Sequence, residues 1–194
     1  MNTDELASMI TRVDRKARDV LSQSRYEHSV RVGAMARDLC ERFGLNPDVG
    51  YLAGIAHDLC KSAAENVLIS LASRDGFPIT EIETRKPSLL HGRAAAVLLR
   101  TEFGLADSGV LEAVRNHTFG AQGLGDLGKI IFVADKIEPG RLGIDPAFRE
   151  GILRANLVVM TRMVLEDNIR YLNARGKTVS PESQKMLDEL KNQG

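Results

Sequence analysis

The stretch Asn46-Pro47-Asp48-Val49-Gly50-Tyr51-Leu52-Ala53-Gly54-Ile55-Ala56-His57-Asp58-Leu59 decides how the rest of the chain is read. Asparagine before proline is a helix cap followed by a residue whose φ is already helical and whose missing N–H is not needed there. The spacing therefore predicts a helix from Asn46-Pro47 through Leu59. Its apolar run, Tyr51 to Ala56, ends on an imidazole and a carboxylate, His57-Asp58. A charge set into apolar surroundings is costly unless it is paired or metal-bound.

Working outward, the punctuation stays helical. Leu6, Met9, Ile10, Val13, Ala17, Val20 and Leu21 recur at three-to-four spacing and predict a helix over 4–22. A second spans about 24–43, with Val32, Met35, Leu39 and Phe43 on one face and Gly44 as its stop. Ser62-x-x-Glu65 has the capping-box form and predicts a helix that ends near Gly76; Thr80-x-x-Glu83 repeats it over a shorter stretch closed by Pro87. Ser88 is read as the cap of a helix over 89–103, Asp107 opens another to about His117, and 126–137 forms one more. A long helix is expected over 146–174, and Ser180-Pro181 opens the last. The glycine-rich loop 119–125 is a candidate rim for an active site. No segment alternates as a strand would, and no linker divides the chain. The expectation is an all-α fold in one domain over 1–194, with a core at about 20–145 and C-terminal helices over 146–194.

Composition narrows the function classes. Of 194 residues, 26 are Lys or Arg and 26 are Asp or Glu, so no global charge attracts nucleic acid or an anionic membrane. Any anion must be held by a local cluster. No apolar run approaches the roughly 18 residues of a membrane span, and the polar start MNTDELASMI is unlike a signal peptide. Two cysteines, Cys40 and Cys60, make no disulfide framework and suit a reducing cytoplasm. A cytoplasmic protein without nucleic-acid or membrane partners is expected.

The four histidines are His28, His57, His91 and His117, each on a separate predicted helix. Asp135 lies downstream in the apolar segment Ile130-Ile131-Phe132-Val133-Ala134-Asp135. Any one of these histidines alone reads as a satisfied core or surface residue. Together with the two aspartates they form a set of nitrogen and oxygen donors suited to first-row metals such as Fe, Mn, Ni or Zn. Arg25 and Arg31 lie three residues either side of His28, Lys61 lies three after Asp58, and Arg141 follows the Asp135 helix. Each is read either as a solvated cation or as a phosphate contact, Arg25, Arg31 and Lys61 by sharing a helical face with their neighbour and Arg141 by a short loop that returns it over the site.

The ordered set His28, His57-Asp58, His91, His117, Asp135 resembles the HD superfamily of metal-dependent phosphohydrolases. Five stretches are similar to one group within it, the YqeK-type symmetrical bis(5'-nucleosyl)-tetraphosphatases. They are Arg25–Val32, Ala53–Lys61, Leu90-His91-Gly92, Asn116-His117-Thr118 and Ala134–Arg141. The resemblance implies cleavage of diadenosine tetraphosphate to two ADP. It implies that His28, His57, Asp58 and Asp135 hold one ion, with His91 and His117 serving a second and Asp58 bridging. Iron is the first choice, as one or two ions, with Mn, Ni or Zn as substitutes. A homodimer is compatible with it. His91 and His117 stay open between ligand, proton donor and phosphate contact. Catalytic roles fall to Asp58, Lys61, His91 and His117; substrate contacts to Arg25, Arg31, Lys61, His91, His117, Thr118 and Arg141. Other readings are a different HD phosphohydrolase (a nucleotidase or cyclic-nucleotide phosphodiesterase) and a non-catalytic nucleotide sensor.

Overall fold

The computed structural model describes residues 1–193; Gly194, the last residue of the expected domain, lies outside them. Among the described residues there are eleven α-helices and no strand, so the fold is all-α as expected. They are α1 (Thr3–Val20), α2 (Gln23–Arg42), α3 (Pro47–Ala56), α4 (Glu65–Ala72), α5 (Glu81–Arg85), α6 (His91–Glu102), α7 (Ser108–Asn116), α8 (Asp126–Ile137), α9 (Pro146–Arg154), α10 (Leu157–Ala174) and α11 (Pro181–Asn192). A short 3₁₀ turn, Pro87–Leu90, leads into α6.

Local capping chemistry explains most of the starts. Asn46 Oδ1 accepts from the backbone N–H groups of Asp48 and Val49. Asp107 accepts from Val110, and Thr80 and Glu83 form a reciprocal capping box. Each such cap is worth about 1 kcal/mol.

Four expectations are corrected. The helix opened by Asn46-Pro47 stops at Ala56 and gives way to successive tight turns, with Leu59 N bonded to Ala56 O and Lys61 N to Asp58 O. Ser62 caps nothing, because α4 starts after Ala64 and has no side-chain cap; that helix closes at Ala72. Ser88 lies inside the 3₁₀ turn, and α6 begins only at His91, whose ring takes the Ser88 carbonyl. The long helix over 146–174 is two helices, parted at extended Ala155 and recapped by Asn156. The Arg42 guanidinium satisfies the freed carbonyls of Leu153 and Ala155, the latter at 2.7 Å. That partner lies far away in sequence, so the break is a tertiary decision.

The core is built on α3 and α8, whose apolar side chains Leu52, Ile55, Ile130, Ile131 and Phe132 are fully buried. Burying each stabilises the fold by roughly 1.5–3 kcal/mol. Helix α2 packs along α3, α1 covers α3, and α7 and α10 pack on α8. The α2–α3 crossing is close because it meets at glycines: a Cβ on Gly54 would lie 2.5 Å from the Gly33 Cα. This approach sets His28 on α2 beside His57 at the end of α3, with ring centroids 5.3 Å apart.

Candidate metal centre

Six side chains from five places in the chain converge in the middle of this bundle. His28 comes from α2, His57 and Asp58 from the turns after α3, His91 from the first residue of α6, His117 from the end of α7 and Asp135 from α8. All six are buried.

Three of the rings are oriented by the same backbone device. The Nδ1–H groups of His57, His91 and His117 donate to the carbonyls three residues earlier: Gly54 at 2.6 Å, Ser88 at 2.7 Å and Val114 at 2.8 Å. With the proton on Nδ1, each Nε2 lone pair points inward. His28 is held from the other side, its Nδ1 donating to Glu138 Oε1 at 3.0 Å while Nε2 lies 3.1 Å from Asp135 Oδ1.

The inward atoms are acceptors facing acceptors. His91 Nε2 lies 3.0 Å from His117 Nε2 and 3.1 Å from Asp58 Oδ1. His57 Nε2 lies 3.6 Å from Asp58 Oδ2 and 3.7 Å from Asp135 Oδ1. His57 Nε2 and Asp58 Oδ1 are buried with no hydrogen-bond partner. Orphaned buried acceptors cost free energy, and a cation among them removes that cost. Donor atoms of three sets fall within 4.8 Å of one another: His28–His57–Asp58, His57–His117–Asp135 and Asp58–His91–His117. The first and third share Asp58. These residues fit one or two first-row metal ions.

Electrostatics keeps the donors in metal-binding form. Burial holds His57 below the usual imidazole range and His117 at about 4, so both stay neutral at neutral pH. Burial opposes ionisation of Asp58, but His57, His117, His91 and Lys61 outweigh it and hold the carboxyl well below its ordinary value. Asp135 is held low in the same way, burial being outweighed by Lys136, His28, His57 and Arg141.

The expected cations are not all spent alike. Lys61 Nζ donates to His91 Nε2 at 3.0 Å and lies 3.5 Å from Asp58 Oδ1, reached through the tight turns rather than a helical turn. Arg141 folds back over Asp135, 2.7 Å from Oδ1. Arg25 lies 3.5 Å from Asp58 Oδ2. Arg31 instead grips Glu138, at 2.6 Å through Nε. Thr118 Oγ1 lies 3.5 Å from His91 Nε2 and 3.4 Å from His117 Nε2. Of the loop 119–125, expected to rim the site, Phe119 to Gln122 wall neighbouring cavities and no residue lines the one that opens on the histidines.

That cavity, of about 680 Å³, carries Lys61, Lys136 and Arg141 on its inner side and Phe148 and Tyr171 further out. Lys136 and Glu138 received no role from the sequence. Lys136 Nζ donates to His117 O at 2.9 Å, and Glu138 accepts from both His28 and Arg31. The signal was a lysine directly after a buried aspartate in an apolar stretch of helix, and a glutamate three residues beyond that aspartate at the helix end.

A family model described as "HD domain" matches residues 25–140, more than half of the chain. The symmetrical bis(5'-nucleosyl)-tetraphosphatase of Bacillus subtilis is 36% identical over 127 residues, which is 64% of this chain and 68% of that protein. Its namesake in Halalkalibacterium halodurans is 30% identical over 172 residues, 88% of this chain and 90% of that one. A crystal structure from Clostridium acetobutylicum, described as a predicted HD superfamily hydrolase involved in NAD metabolism, superposes with a TM-score of 0.87. It is 25% identical, over 95% of this chain and 97% of that one.

Proposed function

This chain belongs to the HD domain family, and we propose that it is a metal-dependent hydrolase that splits diadenosine tetraphosphate at its central anhydride into two ADP. One observation carries the reading: three of the candidate metal donors, His91, His117 and Asp135, line the same cavity as Lys61, Lys136 and Arg141, next to the orphaned acceptors of His57 and Asp58. A metal site beside clustered cations suits a polyphosphate. The names of the two curated relatives support that substrate.

His28, His57, Asp58 and Asp135 would hold one ion, and Asp58, His91 and His117 a second. Iron is the reading for the metal, with Mn, Ni or Zn as substitutes. When bound, such ions lower the pKa of water from about 15.7 to about 7 and neutralise phosphoryl charge. The chain's own part is positional. Lys61 and Arg141 approach the cavity from two elements and would bracket the phosphates about the scissile bond, with Thr118 on the cavity wall and Arg25 behind it, beside Asp58. Arg31 holds Glu138, which fixes the His28 ring. The reading is of a cytoplasmic enzyme whose partner is the dinucleotide; it needs neither nucleic acid nor a membrane, and among the described residues no helix is long and apolar enough to cross one. A homodimer is compatible with it.

Hydrolysis in oxygen-18 water, with the nucleotides separated, tests the reading. ADP alone should form, with label on one ADP per turnover. AMP together with ATP means asymmetric attack and ends the central-anhydride reading. Inorganic phosphate released from mononucleotides points to a nucleotidase, and no metal-dependent turnover points to a sensor.

A further inference from the structure

A symmetrical dinucleotide cut at its centre must extend in two directions from the metal site, and the cavity on the histidines accounts for one. A second cavity, of about 430 Å³, adjoins it and shares two wall residues with it, Thr118 and Asn168. Both volumes fall within the roughly 300–1,000 Å³ of small-molecule sites. On α10 the helical repeat divides the duties: Tyr171 and, just past the helix end, Arg175 face the first cavity, Leu172 faces the second, and Asn168 borders both. Thr118 stands at the fork, with its hydroxyl within 3.5 Å of two histidine nitrogens of the metal centre.

The second cavity has the chemistry of a nucleotide arm and none of the metal donors. Leu89, Phe119 and Leu172 give it an apolar wall, and Lys86 and Lys177 give it cations. Arg85, also on its wall, is engaged by Glu81. No ion pair with a carboxylate of the described residues engages either lysine. A third cavity, of about 330 Å³, also reaches Thr118, but it carries the carboxylates Glu83, Glu112 and Glu182. Its Arg93 is held by Asp75 and Glu83. With Glu83 and Arg93 spent on each other, Glu112 and Glu182 outnumber the remaining cation, Arg115, so the second cavity, with two lysines and no carboxylate on its wall, suits a polyphosphate better.

We infer that the cavity between Leu89, Phe119, Leu172, Lys86 and Lys177 is a second nucleoside diphosphate subsite, which holds the half of the substrate that the first cavity does not. The inference rests on the proposed function and adds to it a place for the second product.

Calorimetric titration of ADP into the metal-loaded protein, with Lys86→Glu/Lys177→Glu alongside, tests it. Both lysines are exposed, so the fold is unaffected and circular dichroism should be unchanged. Wild-type protein should bind two ADP per chain and the double variant one, with KM for diadenosine tetraphosphate raised about tenfold or more and metal content unchanged. Leu172→Trp, which fills the cavity without altering its charge, should also lose one site. One ADP per wild-type chain, or an unchanged KM in the double variant, overturns the subsite. If wild-type protein yields two ADP and either of those results is found, only the subsite falls; if it does not cleave the tetraphosphate, the functional reading falls and the subsite with it.

Discussion

The Nε2 atoms of His91 and His117 face each other 3.0 Å apart, although both rings donate their Nδ1 protons to backbone carbonyls. Two lone pairs at that separation repel unless cations stand beside them; Lys61 Nζ meets the first at 3.0 Å, and Asp58 Oδ1, 3.1 Å from that nitrogen, adds a negative charge that favours a further cation at the same spot. Asp58 also belongs to the donor set with His28 and His57. It is the residue on which both candidate ions depend.

Replacing Asp58 by Ala should therefore strip metal from the protein. Activity should fall by more than the roughly 10–100-fold that loss of an outer partner costs. Helical content should stay close to wild type, because the Asp58 side chain accepts no hydrogen bond that any helix needs. Metal analysis and circular dichroism on the same sample check both halves. Near-normal turnover in a metal-replete variant would remove the metal assignment.

Glu138 gives a graded counterpart. It accepts from His28 Nδ1 and Arg31, and burial of its carboxyl is outweighed by Arg31, His28 and the Gly140 N–H, which hold it ionised. Glu138→Gln keeps the shape but weakens the hold on His28. Metal affinity should drop roughly 10–100-fold, and excess metal should restore the rate. A rate that stays low at saturating metal would place Glu138 in contact with substrate instead.

Lys61 should separate binding of metal from binding of phosphate. Its Nζ lies on the cavity wall against His91 and Asp58, and the lysine belongs to none of the donor sets. Lys61→Ala should keep its metal and lose about 1.5–3 kcal/mol of transition-state binding, roughly 10- to 150-fold in kcat/KM. Joint loss of metal and activity would make the lysine structural, and unchanged kinetics would make it a solvated cation.

Much of this was legible in the residues, for reasons that differ by element. Asn46, Thr80 and Asp107 cap their own helices, so a local pattern sufficed. The ordered histidines and aspartates were legible as a set because donor types at buried positions need an explanation. Other features depend on remote partners. The break at Ala155 follows from Arg42, and Arg31 turns to Glu138, over a hundred positions away. The turns that end α3 at Ala56 place Lys61 against Asp58, a placement that helical spacing reached by the wrong route. The inward aim of each Nε2 comes from backbone carbonyls at Gly54, Ser88 and Val114, which no residue type announces.

The α2–α3 crossing tests the fold beneath the site. A Cβ at Gly54 would press on backbone, 2.5 Å from Gly33 Cα and 2.7 Å from its nitrogen, so no side chain can swing aside to make room. Gly54→Val should cost at least the roughly 1–3 kcal/mol of an overpacked core. At about 2–4 °C per kcal/mol for a chain of this size, thermal unfolding should move down by several degrees. It should also loosen the metal, since the Gly54 carbonyl orients His57. An unchanged midpoint would mean that the two helices do not meet as closely as described.

Acid should unfold the metal-free protein in two stages. Burial keeps His117 neutral down to about 4, against an ordinary value of 6.5, and moves His57 in the same direction. Between those values the unfolded chain binds more protons than the folded one, so stability falls as pH drops from 6.5 toward 4 and is flat above 6.5. Asp58 and Asp135 act lower down. Their folded carboxyls stay ionised well below the ordinary 3.8, so their contribution persists above that value and is lost as pH falls beneath it. Melting temperatures taken after chelation from pH 8 to pH 3 should show a plateau, a decline starting near 6.5 and a steeper one below about 4. His117→Gln, which cannot titrate, should flatten part of the first decline and leave the second. A melting temperature that rises between pH 6.5 and pH 4.5 would mean that the buried histidines gain protons on folding, and the inward lone pairs on which the metal centre depends would have to be given up.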